Sequence, residues 1–123
     1  MSLAVLAGLH VLVVEDEMLV SLLIETVLAD ERCVVIGPFD RVEDALEAAR
    51  AEPLDLAVLD VNVAGVKVYP VAEALMQRGI PFLLLSGYGR NAIPHDRPDW
   101  RVCEKPFKPQ ELVTMLVEQV APH

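Results

Sequence analysis

Four short, nearly unbroken runs of branched apolar residues constrain the fold of this chain more than any other feature. They span residues 11–14, 34–36, 56–59 and 82–85, and residues 101–103 form a weaker fifth run. Strands that are buried on both faces have this composition, and such strands occur in parallel sheets. The sequence therefore predicts a central parallel sheet that is covered by helices on both faces.

Helical patterns lie between the apolar runs, and the first of them covers residues 18–28. Four of its apolar side chains recur at helical spacing and are expected to face the core: Leu19, Leu22, Leu23 and Val27. Residues 40–43 resemble a capping box, in which Asp40 accepts a backbone N–H at the start of a second helix. The first two crossovers are therefore predicted to be helical.

Proline and glycine residues mark the ends of the later helices. Pro70 and Pro109 each suit the first turn of a helix, and Gly79 suits a helix C-terminus. Pro94 and Pro98 leave room for only a short or irregular fourth helix between the last two apolar runs.

This alternation of strands and helices predicts one domain over residues 1–123 with an α/β fold. The expected architecture is a flavodoxin-like, doubly wound, five-stranded parallel sheet of strand order 2-1-3-4-5. Five helices cover it, and the fourth of them is short or irregular. Sheets of this kind place their functional sites outside the carboxyl ends of the strands, near the point where the strand order reverses.

The charge balance excludes several classes of function. The chain has 10 Lys and Arg residues against 19 Asp and Glu residues, so its formal charge is −9. An acidic chain lacks the clustered basic residues with which proteins bind nucleic acids or anionic membrane surfaces. The sequence also has no signal-peptide pattern, no spanning segment and only two cysteines. We therefore expect a cytoplasmic protein with no nucleic-acid partner, no membrane partner and no disulfide framework.

Polar residues follow the apolar runs where the strands are expected to end. Glu15 and Asp16 follow the first run, Asp60 the third, Ser86 the fourth and Lys105 the fifth. The first and third strands are neighbours about 5 Å apart in this strand order, so the three carboxylates converge. They repel each other by about 4 kcal/mol per pair at 4 Å and an effective dielectric near 20. Such a group needs a positive partner, and its oxygen donors suit Mg²⁺.

With these residues in these places, the chain resembles the receiver domain of bacterial two-component response regulators over essentially its whole length. The resemblance implies that Asp60 is the phosphoacceptor and that Ser86 and Lys105 act on the phosphoryl group. It also implies a set of magnesium ligands: Glu15, Asp16, Asp60 and the backbone carbonyl of Asn62.

The resemblance implies a signalling function. The domain is expected to take a phosphoryl group from a sensor histidine kinase or a phosphotransfer protein and then to change its binding to a downstream protein. It is expected to be an acceptor rather than a turnover enzyme, and to stand alone because no output segment follows its last helix. Two alternatives stay open: a scaffold that binds partners without phosphorylation, and a Mg²⁺-dependent phosphohydrolase. The second commonly has another Asp two residues after the nucleophile, where this chain has Asn62.

Two departures from the receiver pattern concern aromatic residues. Many receivers have a Tyr or Phe three residues before the lysine, where this chain has Val102. The segments 68–75, 78–82 and 86–89 resemble single-domain regulators with a Phe-Ala-Thr-Gly type turn, although this chain has Leu-Leu-Ser-Gly at the turn. We hypothesise that Tyr88 replaces the missing switch ring, with a surface tyrosine as the alternative.

The first helix is apolar over more than one face, because Met18, Val20, Ile24 and Leu28 are apolar in addition to the predicted core stripe. A broad apolar helix beside an acidic site is a candidate docking surface for a kinase or a phosphotransfer four-helix bundle. The alternative is that these side chains only make core and flanking contacts.

Overall fold

Strands and helices alternate along the chain in the computed structural model, which describes residues 5–121. The strands are β1 (His10–Val14), β2 (Val34–Phe39), β3 (Leu56–Asp60), β4 (Asn62–Val63), β5 (Val66–Lys67), β6 (Phe82–Ser86) and β7 (Val102–Glu104). The helices are α1 (Met18–Asp30), α2 (Val42–Ala51), α3 (Tyr69–Gln77), a 3₁₀ helix (Gly89–Ala92) and α4 (Pro109–Val120). The two ends of the predicted domain, residues 1–4 and 122–123, lie outside the described residues.

The main sheet has five strands in the order β2-β1-β3-β6-β7, and all of its strand pairs are parallel. This confirms the predicted doubly wound fold, since β6 and β7 are the fourth and fifth strands of the sequence prediction. The predicted irregular fourth helix is the four-residue 3₁₀ helix. The hairpin of β4 and β5 was not predicted, because two strands of two residues are too short to show a period.

The core consists of two layers, one on each face of the sheet. Side chains alternate between the faces along every strand, so one strand contributes to both layers. One layer joins the sheet to α2 and α3, and its sheet residues include Leu12, Ala57, Leu59 and Leu84. The other joins the sheet to α1 and α4, and its sheet residues include Val11, Val13, Val58 and Leu83. Every residue of β3 and β6 is buried, as the apolar runs predicted. The same prediction was wrong for the run 34–36, because β2 lies at the edge of the sheet and has no buried residue.

Helix α1 faces the sheet with a side that overlaps only partly with the predicted one. It buries Ser21, Ile24, Val27 and Leu28, whereas Leu19 is 81% exposed and Leu22 is 57% exposed. The prediction is confirmed for Val27, which is buried, and for Leu23, which packs against the core. It was wrong for Leu19 and Leu22, because apolar residues surround most of this helix and periodicity alone does not select a face. Although α1 is so apolar, no helix within residues 5–121 is long and apolar enough to cross a membrane.

The predicted capping box at the start of the second helix is also wrong. Helix α2 begins at Val42, so its N-cap is Arg41, which makes no side-chain capping hydrogen bond within the described chain. Asp40 therefore lies one residue before the N-cap. Packing explains the shift, because Val42 lies against the core layer of α2 and α3. The acidic side chains in the first turn of α2 still interact favourably with the positive N-terminal end of the helix dipole.

The predicted positions of Pro70, Pro109 and Gly79 are confirmed. Each proline occupies the first turn of its helix, where a missing N–H costs nothing. Gly79 follows the end of α3 with φ +70°, a conformation that suits glycine. The N–H groups of Gly79 and Ile80 donate to the carbonyls of Met76 and Leu75, which closes the last turn.

Candidate functional site

Three carboxylates meet where β1 and β3 end. Val14 pairs with Leu59 in the parallel register, so Glu15 and Asp16 leave β1 beside Asp60 at the end of β3. One carboxylate oxygen from each of the three acids can be chosen so that all three oxygens lie within 4.8 Å of one another. Glu15 and Asp60 are buried, at 2% and 6% exposed, whereas Asp16 is exposed. The structure thus brings together the three acids that the sequence placed on one rim.

Lys105 is the cation of this cluster. Its Nζ lies 3.1 Å from Glu15 Oε1, 3.3 Å from Asp60 Oδ1 and 3.2 Å from Glu17 Oε1. The backbone N–H of Lys105 donates to the Ser86 carbonyl at 2.9 Å, which extends the pairing of β6 with β7 and holds the lysine at the site. Glu17 was not predicted as a site residue, although the run of three acids at 15–17 was a visible signal for it.

Burial and repulsion make the ionised form of these acids costly. Burial first, and then repulsion from Asp60, raise the pKa of Glu15 from an ordinary value of 4.5 to about 7. Burial also raises the pKa of Asp60, and the opposing attraction of Lys105 only partly compensates. Burial lowers the pKa of Lys105, but the carboxylates of Asp60 and Glu15 outweigh it and leave that pKa raised. For Glu15 and Asp60, the attraction of Lys105 therefore does not offset the cost of burying a charged carboxylate.

The side chains of this cluster fit a hard divalent cation. Glu15 Oε1 is fully buried and receives no hydrogen bond of normal geometry from residues 5–121, although Lys105 Nζ is 3.1 Å away. The donors are carboxylate oxygens, which Mg²⁺ prefers. Asp16 is oriented by the N–H of Ala64, which donates to Asp16 Oδ2 at 3.0 Å. A cation here would satisfy a buried oxygen that is otherwise left without a full partner.

Asp60 lies in an open cleft of about 650 Å³. Five of the residues predicted for the site line this cleft: Asp60, Asn62, Ser86, Tyr88 and Lys105. Ser86 is buried, and its Oγ accepts a hydrogen bond from the N–H of Tyr88 at 2.9 Å. The Tyr88 side chain itself is 78% exposed. The cleft also contains residues that the sequence analysis did not single out, among them Lys67, Tyr69 and Asn91.

Side-chain contacts with α3 hold the irregular segment 87–101, which follows Ser86. The Tyr69 hydroxyl donates to the Ala92 carbonyl. Arg97 makes a two-pronged ion pair with Glu73, at 2.8 and 3.0 Å. Trp100 is buried and donates from Nε1 to Met76 Sδ at 3.0 Å. The segment beyond Ser86 is thus held by tertiary contacts rather than by a regular helix.

Comparison with known proteins identifies the class to which this fold and site belong. The family model of the response regulator receiver domain matches residues 11–117. The chain therefore belongs to the response regulator receiver domain family, as the resemblance in the sequence predicted. No curated protein sequence matches the chain significantly.

Solved structures of receiver proteins share this fold. The solution structure of SdrG from Sphingomonas melonis Fr1 is 33% identical with a TM-score of 0.80, and the match covers 94% of this chain and 98% of that one. The response regulator PhyR from Brucella abortus has a TM-score of 0.84 at 20% identity, over 97% of this chain and 50% of that one. A third similar structure is the receiver domain of the sensor histidine kinase PA1611 from Pseudomonas aeruginosa PAO1, which has a magnesium ion in its active site cleft. Its TM-score is 0.75 at 23% identity, and the match covers 94% of this chain and 100% of that one.

Proposed function

We propose that Asp60 accepts a phosphoryl group from a histidine kinase or a phosphotransfer protein in a Mg²⁺-dependent reaction, and that phosphorylation changes the binding of a downstream protein. The observation that carries this proposal is the buried Asp60 carboxylate, which faces both the Lys105 ammonium and an open cleft. Family membership supports the same conclusion, as does the acidic cluster beside Asp60.

The chemistry assigns a separate task to each residue. A carboxylate oxygen of Asp60 attacks phosphorus in line with the leaving group and forms an acyl phosphate. Lys105 neutralises charge on the phosphoryl oxygens, and the Ser86 hydroxyl donates a hydrogen bond to one of them. When bound, Mg²⁺ supplies further neutralisation of those oxygens. The residues that would hold it are Glu15, Asp16, Asp60 and the Asn62 carbonyl.

The site favours an acceptor over a turnover enzyme. A phosphohydrolase needs an acid or base that activates water for the second step. The residue two positions after Asp60 is Asn62, whose amide side chain cannot serve as that group at neutral pH. We therefore propose that the acyl phosphate persists as a signal instead of turning over rapidly.

Intact-mass measurement tests the proposed function. After incubation with MgCl₂ and acetyl phosphate, the protein is expected to gain the mass of one phosphoryl group. Hydroxylamine is expected to remove that mass, because it cleaves acyl phosphates, and a chelator is expected to prevent the gain. Absence of any mass gain with MgCl₂ would favour the scaffold alternative. Continuous phosphate release from simple phosphoesters would favour the phosphohydrolase.

We further propose that Tyr88 reports phosphorylation to the segment 87–101. Its ring is exposed, its backbone N–H donates to Ser86 Oγ, and glycines flank it on both sides. Movement of Ser86 toward a phosphoryl group would break that hydrogen bond. In Tyr88→Ala, beryllofluoride is expected to bind normally but to shift the amide resonances of this segment less than in the wild type. Tyr88→Phe is the control, and equal shifts in all three proteins would contradict the proposal.

We propose that the exposed face of α1 is the docking surface for the phosphodonor protein. Met18, Leu19 and Leu22 are 83%, 81% and 57% exposed. Other residues of the same helix line a groove of about 370 Å³ whose lining also includes Lys105 and Phe107. A four-helix bundle that covers this face could therefore reach Asp60 beside Lys105.

Leu19→Glu is expected to slow phosphotransfer from a cognate kinase domain by at least about tenfold, because a charge replaces apolar contact area. Its rate with acetyl phosphate is expected to stay unchanged. Val34→Glu is the matched control, since Val34 is also exposed, at 44%, but lies at the start of β2. Equal kinase-driven rates in both variants would count against docking on α1.

A further inference from the structure

Hydrogen bonds hold the hairpin of β4 and β5 beside Asp60. Ala64 and Gly65 form its two-residue turn with φ angles of 51° and 82°, as in the tight turns that connect antiparallel strands. The N–H of Ala64 donates to Asp16 Oδ2 at 3.0 Å. At its base, the N–H of Val68 donates to the Val61 carbonyl at 2.9 Å. These contacts connect the hairpin to the acidic cluster and to the chain on both sides.

The hairpin directs one of its two residue pairs into the phosphorylation cleft. Asn62 pairs with Lys67, and Val63 pairs with Val66. Side chains of directly opposed residues lie on the same face of a hairpin, and successive pairs alternate between faces. Val63 and Val66 line a separate groove beside α2, whereas Asn62 and Lys67 both line the cleft of Asp60.

Lys67 differs in its surroundings from Lys105, the other basic residue that lines the cleft. Lys105 has three carboxylates within 3.3 Å of its Nζ. Lys67 is exposed and makes no ion pair within residues 5–121, in a chain whose formal charge is −9. An anion that approaches Asp60 therefore meets a strongly acidic protein. Among the residues that the structure describes, Lys67 is the cation of this cleft that no carboxylate neutralises, so it can attract the anion.

We propose that Lys67 is a specificity-determining residue that favours small anionic acyl phosphates as phosphodonors. The inference rests on the proposed function, because it concerns phosphorylation of Asp60. An Asp60 oxygen forms a bond to phosphorus while the bond between phosphorus and the acyl oxygen breaks. The carboxylate leaving group departs with that electron pair, so the step needs no proton or other reactant. Lys67 attracts the donor anion at the entrance of the cleft, while Lys105 stays at the reacting oxygens.

Phosphorylation rates with acetyl phosphate and MgCl₂ test this inference. At low ionic strength and a donor concentration below saturation, Lys67→Met is expected to react roughly fivefold more slowly than the wild type, and Lys67→Glu more slowly still. Lys67→Arg is expected to keep most of the rate. The differences are expected to shrink as salt is added, because salt screens exposed charges. A structural role of Lys67 would not produce this salt dependence.

Arg50 provides the matched controls. It is exposed in the last turn of α2, and Arg50→Met and Arg50→Glu change the net charge by the same amounts as the Lys67 variants. The Arg50 variants are expected to react at nearly the wild-type rate. Equal rates for the Lys67 and Arg50 variants would overturn the role of Lys67 and leave the proposed function intact. A wild-type protein that is not phosphorylated at all would overturn both.

Discussion

Replacement of Asp60 by asparagine is expected to abolish phosphorylation by acetyl phosphate. The amide oxygen of asparagine is a far weaker nucleophile than a carboxylate, and the substitution changes almost nothing in size. Asp60 is also buried and faces the cleft, and its Oδ1 lies 3.3 Å from Lys105 Nζ. The neighbouring Asp16 is exposed instead, and its Oδ2 accepts a hydrogen bond from the N–H of Ala64. Intact-mass spectra of the wild type and Asp60→Asn, recorded side by side, measure the effect.

Asp44→Asn is the control for loss of one acidic charge, because Asp44 is exposed in the first turn of α2. It is expected to gain the phosphoryl mass as the wild type does. A phosphoryl gain of equal size in Asp60→Asn would show that another residue is the acceptor. The roles of Lys105 and Ser86 would then have to be reassigned as well.

Replacement of Lys105 by methionine is expected to reduce the phosphorylation rate by about 10²- to 10³-fold, the range found when a preorganised charge-stabilising group is removed. The same substitution is expected to lower the free energy of unfolding in the absence of divalent cations by about 3 kcal/mol near pH 8, because Glu15 and Asp60 stay buried without a counter-charge. Urea unfolding and intact-mass kinetics measure the two effects separately.

The loss of stability in Lys105→Met is expected to depend on pH. Because the pKa of Glu15 is raised to about 7, the folded protein binds a proton that the unfolded protein releases between about pH 4.5 and 7. Ionising this acid therefore costs stability as the pH rises through that range. At pH 5 Glu15 is mostly neutral, so Lys105 contributes less and the variant is expected to differ less from the wild type than at pH 8.

Lys108→Met is the control for these measurements. Lys108 is exposed and lies three residues after Lys105, and its loss changes the net charge equally. It is expected to leave the pH dependence of unfolding unchanged. If Lys105→Met lost the same stability at pH 5 and pH 8, ion pairing with Glu15 and Asp60 would not be its main contribution.

The sheet and most of the candidate site could be predicted from the sequence because both depend on local patterns and on a general rule of topology. Apolar runs of four residues between helical patterns predict buried parallel strands. The carboxyl ends of such strands share one edge, so Glu15, Asp16 and Asp60 had to meet once the strand order was known. Lys105 follows the last strand by the same rule, and its contacts with Glu15 and Asp60 follow from that position.

The packing face of a helix, a very short hairpin and contacts between distant residues could not be predicted, because the local sequence is compatible with several arrangements. Apolar residues surround most of α1, so several of its faces could have packed against the sheet. In the folded protein Ile24 and Leu28 are buried there, whereas Leu19 and Leu22 are exposed. The hairpin that directs Lys67 into the cleft has strands too short to show a pattern. The contacts of Tyr69 with Ala92 and of Glu73 with Arg97 join residues more than twenty positions apart.

The sequence by itself thus determined the layered fold and the chemical types gathered at the strand ends, because periodicity and strand direction act locally. Only the tertiary structure decided which side chains share the cleft with Asp60, which carboxylates are buried, and which face of α1 stays exposed. These properties arise from packing between segments that are distant in the sequence. The energy of such packing depends on how well the side chains fit together and on how far they are removed from water, and a local sequence pattern contains neither.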